Sequence, residues 1–219
     1  MDTIKFQLNA RRQPYGQGAD LSLLNESVGN EVLAFHQKFP DYRVTPLRKL
    51  EFLSQRLGLG SIHIKDEAQR FGLNAFKGLG GSYAMGKYLA ALLERDINTL
   101  SFAELNSPVI KARIKDIVFV TATDGNHGRG VAWAAEQLGL RAVVYMPKGS
   151  SPVRAQNIRR HGAECTITEL NYDDTVRLAA KTAREQGWVL LQDTAWQGYE
   201  QIPTWIMQGY MTLAVEDRK

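Results

Sequence analysis

An α/β fold built on a mostly parallel sheet is what this sequence predicts, and three features predict it. Four short apolar runs, at residues 117–121, 142–146, 165–168 and 188–192, are separated by helix-like segments. Gly139, Gly162 and Gly187 stand where each of those helices has to stop before the next strand begins. Strands alternating with helices in this way need right-handed crossovers, and so parallel neighbours. Composition agrees, because 219 residues that are 44% hydrophobic and 23% charged can bury an ordinary globular core.

The elements follow in order. Residues 1–20 are polar, rich in Arg, Gln and Gly, and read as an extended arm. Val28, Val32, Leu33 and Phe35 then fall at helical spacing over residues 27–37, with Pro40 to end the element. Thr45-Pro46-Leu47 introduces a second helix that carries Leu50, Leu53 and Leu57 on one face and stops at Gly58. Residues 61–65 alternate like a half-buried strand, in which His63 is an ordinary member. A long helix comes next, capped by Asn74 and running through Tyr83, Met85, Tyr88, Leu89 and Leu92. Ser101 and Glu104 have the spacing of a capping box and start a further short helix. After the four strands, residues 203–215 are again helical and apolar.

Charge and cysteine usage narrow the function classes. A net charge of +4, from 27 basic and 23 acidic residues with no long single-sign block, indicates neither a nucleic-acid nor a membrane surface. The single cysteine, Cys165, excludes an internal disulfide and suits a reducing compartment. No apolar run is long enough to span a bilayer, and no secretory segment follows Met1. The expected location is the cytoplasm.

Two stretches carry chemistry. In residues 70–83 one lysine, Lys77, stands between aromatics and glycines at the start of the long helix. An ammonium in a first helical turn meets the positive end of the helix dipole, which is the wrong place for a structural cation. It suits a reactive amine, since a like-signed field and partial burial both lower a lysine pKa. Gly78, Gly80 and Gly81 would let a flat ring approach the backbone. The plainer reading is a solvated lysine at a frayed helix start. The second stretch, residues 121–130, follows the first of the four strands and contains Thr123, Asp124, Gly125, Asn126 and His127. Ligands of parallel sheets bind at the carboxyl ends of strands, and a turn entering a helix presents free N–H groups to an anion. Residues 123–127 are therefore a candidate carboxylate site, with a simple tight turn as the alternative. The glycines at 125, 128 and 130 do not fit a dinucleotide fingerprint, and no phosphate-loop motif occurs. His36, His63, His127 and His161 form no metal-binding pair, so no metal is expected.

These residues carry a resemblance. Lys65-Asp66-Glu67, then residues 74–78 reading Asn-Ala-Phe-Lys-Gly, then Asp124-Gly125-Asn126-His127 with Gly130 downstream, resemble the threonine dehydratase and tryptophan synthase β group of pyridoxal-phosphate enzymes. Within that group the chain is most similar to the diaminopropionate ammonia-lyases, whose lysine segment also reads Asn-Ala-Phe-Lys and whose asparagine loop carries an aspartate before Gly-Asn. The likeness runs from residue 42 to at least residue 210.

The resemblance implies a fold type II, tryptophan synthase β-like α/β enzyme with pyridoxal 5′-phosphate as cofactor. Residues 1–95 would open the large domain, 96–193 would form the small one, and 194–219 would begin the return. Lys77 would be the Schiff-base lysine, Asn126 would contact the cofactor's 3′ oxygen, and residues 123–127 would hold the substrate carboxylate. Asp124, where most relatives have serine, would be a base for one enantiomer if partial burial raises its pKa. Asp193, at the end of the fourth strand, would serve the other enantiomer, with a helix N-cap as its plainer role. The implied reaction is α,β-elimination of D- and L-2,3-diaminopropionate, a small amino-acid substrate, to pyruvate and ammonia. A homodimer is implied for the full-length family. The group is usually nearly twice this length, and its glycine-rich phosphate turn is not found after Gly187. The chain thus reads as an amino-terminal half with weak cofactor binding, and with the apolar side chains of its last helix, Trp205, Ile206, Tyr210, Met211 and Leu213, partly uncovered. A non-catalytic interaction module and a serine or threonine dehydratase-like lyase are the alternatives.

Overall fold

The computed structural model describes residues 9–14 and 20–217, so most of the arm expected over residues 1–20 lies outside the described residues. Its centre is a four-stranded parallel sheet of β3 (Val118–Ala122), β4 (Arg141–Met146), β5 (Glu164–Ile167) and β6 (Val189–Leu190). The order is β5-β4-β3-β6, and β3 and β4 run in register from Val118↔Arg141 to Ala122↔Tyr145. All four predicted runs are therefore strands of one sheet. Between them lie α6 (Asn126–Leu138), α7 (Pro152–Arg159) and α8 (Tyr172–Gln186). Gly139 and Gly187 end α6 and α8 in left-handed geometry, at φ 63° and 67°.

The period of two along β3 divides the core. Val118, Val120 and Ala122 pack with Ala179 and Ala183 of α8 on one face. Phe119 belongs to the larger core on the other face, with Val131, Ala135 and Leu138 of α6 and Ala155 and Ile158 of α7. Alternating side chains buried on both faces are what a sheet covered by helices requires.

The larger core continues into α1 (Glu26–His36), α3 (Lys77–Leu92), α9 (Gln201–Gly209) and α10 (Met211–Glu216). Glycines set the spacing of these helices. A Cβ on Gly209 would lie 2.6 Å from the Leu79 carbonyl oxygen, and one on Gly130 would lie 2.7 Å from the Lys77 carbonyl carbon. Helices α3, α6 and α9 thus approach backbone to backbone. The expectation that Gly78, Gly80 and Gly81 face a ligand is overturned, since a Cβ there would meet Leu73, Tyr210 and the Gly130 backbone respectively.

Elsewhere the chain departs from its sequence pattern. Residues 203–215 form two helices that meet at Tyr210, the C-cap of one and the N-cap of the other. Of the apolar side chains expected to be partly uncovered, Ile206 is buried and Trp205, Tyr210, Met211 and Leu213 are half-buried, Trp205, Tyr210 and Leu213 packing against the core that α1 and α3 complete, while Met207 is exposed. Exposed apolar side chains gather instead on α2 (Glu51–Leu57) and on the two-stranded antiparallel ribbon of β1 (Leu47–Lys49) and β2 (His63–Lys65). Phe52 is 76% exposed there and Leu57 58%. A short helix, α4 (Phe102–Leu105), carries the predicted capping box at Ser101 and Glu104, and α5 (Pro108–Ile114) follows it.

Two buried polar assemblies hold the last turns in place. The fully buried Arg70 guanidinium reaches both Glu67 and Glu216 at 2.8 Å, and Lys65 binds Glu216 at 2.9 Å. His36 places Nδ1 2.7 Å from Thr212 Oγ1 and Nε2 3.0 Å from the Leu79 carbonyl oxygen. Burial drives the His36 pKa down to about 3, so the ring is neutral at physiological pH. Among the described residues, no helix is long and apolar enough to cross a membrane.

Candidate active site

Lys77 is the first residue of α3, and its segment is fixed from α6. The Phe71 ring stacks on Trp133 at 4.3 Å, and Arg129 Nη1 donates to the Leu73 carbonyl oxygen at 2.8 Å. Asn74 does not cap the helix; its φ is +51°, the residue at the cap position is Phe76, and no side chain caps the end.

The turn after β3 faces this lysine. Thr123 Oγ1 accepts from the Gly125 and Gly128 N–H groups at 3.0 and 3.2 Å, which fixes the turn from inside. Asn126 and His127, as the first two helical positions, offer N–H groups that the helix itself does not use. Asp193 follows β6. The strand end is pinned where Gln192 N–H donates to Tyr199 Oη at 2.8 Å, and Gln192 Oε1 accepts from Thr121 Oγ1 at 3.1 Å and Ala122 N–H at 3.0 Å.

Lys77, Thr123, Asp124, Asn126, His127 and Asp193 line one cleft of about 250 Å³, with Arg154 of α7 and Tyr172 of α8. The cleft sits at the carboxyl ends of β3 and β6, where parallel sheets bind ligands. Gly125 is buried and is not part of the cleft lining; a Cβ there would come 3.1 Å from the Arg154 side chain. Thr194 lies apart, on a larger concavity with Trp196 and Arg184. Arg154 and Tyr172 escaped the sequence reading, and Tyr210 was read there only as an apolar member of the last helix, since nothing local to α7, α8 or the junction of α9 and α10 marks their long-range approach.

The electrostatics correct one expectation. Lys77 Nζ donates to Asp193 Oδ2 at 2.9 Å, and the Tyr210 ring centroid lies 5.5 Å from the same nitrogen. Burial opposes the lysine's charge, but the Asp193 carboxylate outweighs it, and the Lys77 pKa stands above its usual value instead of below it. Asp193 is correspondingly held below the usual carboxylate range, against the effect of burial, by His127 and Lys77. His127 is buried and shifted downward by that burial. Asp124 is exposed, so the partial burial expected of it is missing, and its main-chain oxygen accepts from Arg154 Nη1 at 3.1 Å. Asp193 caps no helix, because a loop follows it.

A half-buried amine beside a carboxylate that can take its proton, an exposed amide at Asn126 and open N–H groups at the start of α6 fit an aldehyde cofactor with an anionic substrate. Residues 38–216 match the family described as pyridoxal-phosphate dependent enzymes. The chain belongs to that family. Its cofactor is pyridoxal 5′-phosphate. The chain is 77% identical, over 98% of its length, to the diaminopropionate ammonia-lyase of Salmonella typhimurium, of which it covers 53%. It also matches the crystal structure of Escherichia coli diaminopropionate ammonia lyase in complex with D-serine, with a TM-score of 0.85 and 53% identity, covering 89% of this chain and 49% of that one. The same E. coli enzyme in complex with an aminoacrylate-PLP azomethine reaction intermediate matches with a TM-score of 0.81 and 52% identity, over 89% of this chain and 48% of that one. The chain spans about half the length of the curated relatives it matches.

Proposed function

We propose that this chain supplies the lysine, the two bases and the carboxylate-binding turn of an ammonia-lyase that converts D- and L-2,3-diaminopropionate to pyruvate and ammonia. The observation that carries this reading is the contact of Lys77 Nζ with Asp193 Oδ2 at 2.9 Å, inside a cleft that the turn at 123–127 also lines. When bound, pyridoxal 5′-phosphate supplies an electron sink for the pair left at the substrate Cα.

The protein's residues bind, orient and move protons. The N–H groups at the start of α6 hold the substrate carboxylate, and the Asn126 amide holds the cofactor's 3′ oxygen. Asp193 Oδ2, next to the lysine, takes the Cα proton of one enantiomer. Asp124, on the turn after β3, takes that of the other. Lys77 Nζ, once free, protonates the departing β-amine. A division at residues 1–95, 96–193 and 194–219 goes with this reading, supported by the fall of all four parallel strands between 96 and 193.

Borohydride fixation tests the assignment. After treatment of the chain with excess pyridoxal phosphate and borohydride, peptide mapping is expected to place the label on Lys77, and Lys77→Ala to remove it. A label on Lys87, which pairs with Glu31 at 3.6 Å outside the cleft, would overturn the reading.

A further inference from the structure

His127 is the buried group of this cleft whose bonding leaves a nitrogen unaccounted for. Its Nε2 lies 2.8 Å from the Leu191 carbonyl oxygen. A carbonyl can only accept, so Nε2 carries the ring proton, and in the neutral ring Nδ1 carries a lone pair. Nδ1 is buried without a hydrogen-bond partner. What it faces is Asp193 Oδ2 at 3.6 Å, beyond hydrogen-bond range, as expected of two acceptors with no proton between them. The same Oδ2 accepts from Lys77 Nζ. Neither acceptor can easily turn away, because Leu191 anchors the ring and Gln192 and Tyr199 pin the strand end that carries the carboxylate.

We propose that His127 and Asp193 form a proton-sharing pair, kept unprotonated by the Lys77 ammonium and able to hold one proton once that ammonium is lost. The proposal rests on the reading of Lys77 as the cofactor lysine and Asp193 as a base. In the step itself the C–H bond at Cα breaks and its electron pair stays with the substrate. The proton goes to Oδ2 and is shared with Nδ1, so the charge on the pair rises from −1 to 0. It passes to Nζ when the lysine returns to the carboxylate. His127 acts through Asp193 and is therefore a positioning residue: its lone pair gives the carboxylic acid somewhere to donate.

The surrounding charges agree in sign. Burial and the Lys77 cation both disfavour an imidazolium at 127, while Asp193 and the Leu191 carbonyl favour one. Removing the lysine cation leaves burial alone in opposition. The other titratable groups at the cleft are Asp124, Arg154 and Tyr172, and the Tyr210 hydroxyl, pushed up to about 12, stays neutral.

The test is long-range proton–nitrogen NMR of the imidazoles in the ¹⁵N-labelled chain, with the His127 signal assigned by His127→Gln. In the wild type, His127 is expected to be neutral at pH 7, with its proton on Nε2 and a midpoint below its usual 6.5. Lys77→Ala should raise that midpoint by about 1 pH unit or more, and adding Asp193→Asn should cancel the rise. Lys77→Met repeats the comparison if alanine disturbs the fold. A proton on Nδ1 in the wild type, or a midpoint indifferent to Lys77, would overturn the proposal. A borohydride label elsewhere than Lys77 would sink the functional reading while leaving these spectra unchanged, so the two failures are distinguishable.

Discussion

Replacing Gly130 by alanine separates the packing of the site from its chemistry. Gly130 lies inside α6, where alanine is intrinsically better than glycine by about 1 kcal/mol. Against that gain, the new Cβ would stand 2.7 Å from the Lys77 carbonyl carbon and 2.8 Å from both Gly78 N and Lys77 O. Ordinary carbon contacts begin near ~3.5 Å, so the shortfall is roughly 0.8 Å, and it falls on backbone that no rotamer change can relieve. Overpacking of this kind costs about 1–3 kcal/mol, giving a net loss of up to about 2 kcal/mol from these two effects. Gly81→Ala is the matched control, because its Cβ meets the Gly130 backbone at a tolerable 3.4 Å. Urea unfolding should find Gly130→Ala less stable than Gly81→Ala. Borohydride fixation should also label Lys77 more slowly in Gly130→Ala, since a shift of about 1 Å at a reacting group costs on the order of 10²-fold. A Gly130→Ala chain as stable as the Gly81→Ala chain, and labelled as fast, would refute the idea that α6 sets the position of the lysine.

Two further outcomes follow from the site and from the core. In a pyruvate assay with each enantiomer of 2,3-diaminopropionate, Asp124→Asn should lower kcat for one by about 10² to 10⁴ and spare the other; equal loss on both would make Asp124 a structural member of the turn. The His36 pKa is about 3 in the fold against 6.5 when free. The unfolded chain therefore takes up the proton first, and stability falls as pH drops from about 6.5, by about 1.4 kcal/mol per pH unit. Urea midpoints at pH 6.5 and 5 should differ more in the wild type than in His36→Gln, and equal slopes would show that the ring is not kept neutral.

The sheet was legible because its signals are local. A strand of β-branched residues and a glycine that must turn left-handed identify themselves within a few positions, as residues 118–122 and Gly139 do. The loop from Thr123 to His127 was legible as a candidate for the same reason. What stayed hidden depends on distant partners. Helical periodicity runs unbroken through Tyr210, so the break between α9 and α10 has no local mark. The glycines of α3 read equally well as room for a ligand or room for a helix, and only the approach of Gly130 and Gly209 decides between them. Arg154 reaches the cleft from a helix whose own pattern is unremarkable.

Lys77 shows how a correct placement can carry a wrong charge argument. A cation at a helix N-terminus is disfavoured by about 0.3–1 kcal/mol, and burial adds to that, so sequence reasoning lowers its pKa. Asp193, 116 positions away in the chain, reverses the sign, because a hydrogen bond between charged partners is worth about 1.5–3 kcal/mol. The lysine therefore waits as an ammonium, and the proton that must leave before its nitrogen can react already lies on a line to the Asp193 carboxylate. Nucleophile and base are coupled through one oxygen: the ammonium occupies Asp193 Oδ2 while it is present, and on the proposed reading its loss leaves that oxygen free for the Cα proton. The coupling also explains why burial is needed at His127 but not at Asp124. Asp193 loses the Lys77 cation when the lysine departs and is left against a buried ring, whereas Asp124 is exposed to water. Burial and its neighbours thus set the proton affinity of Asp193, the carboxylate that the proposed chemistry loads and unloads.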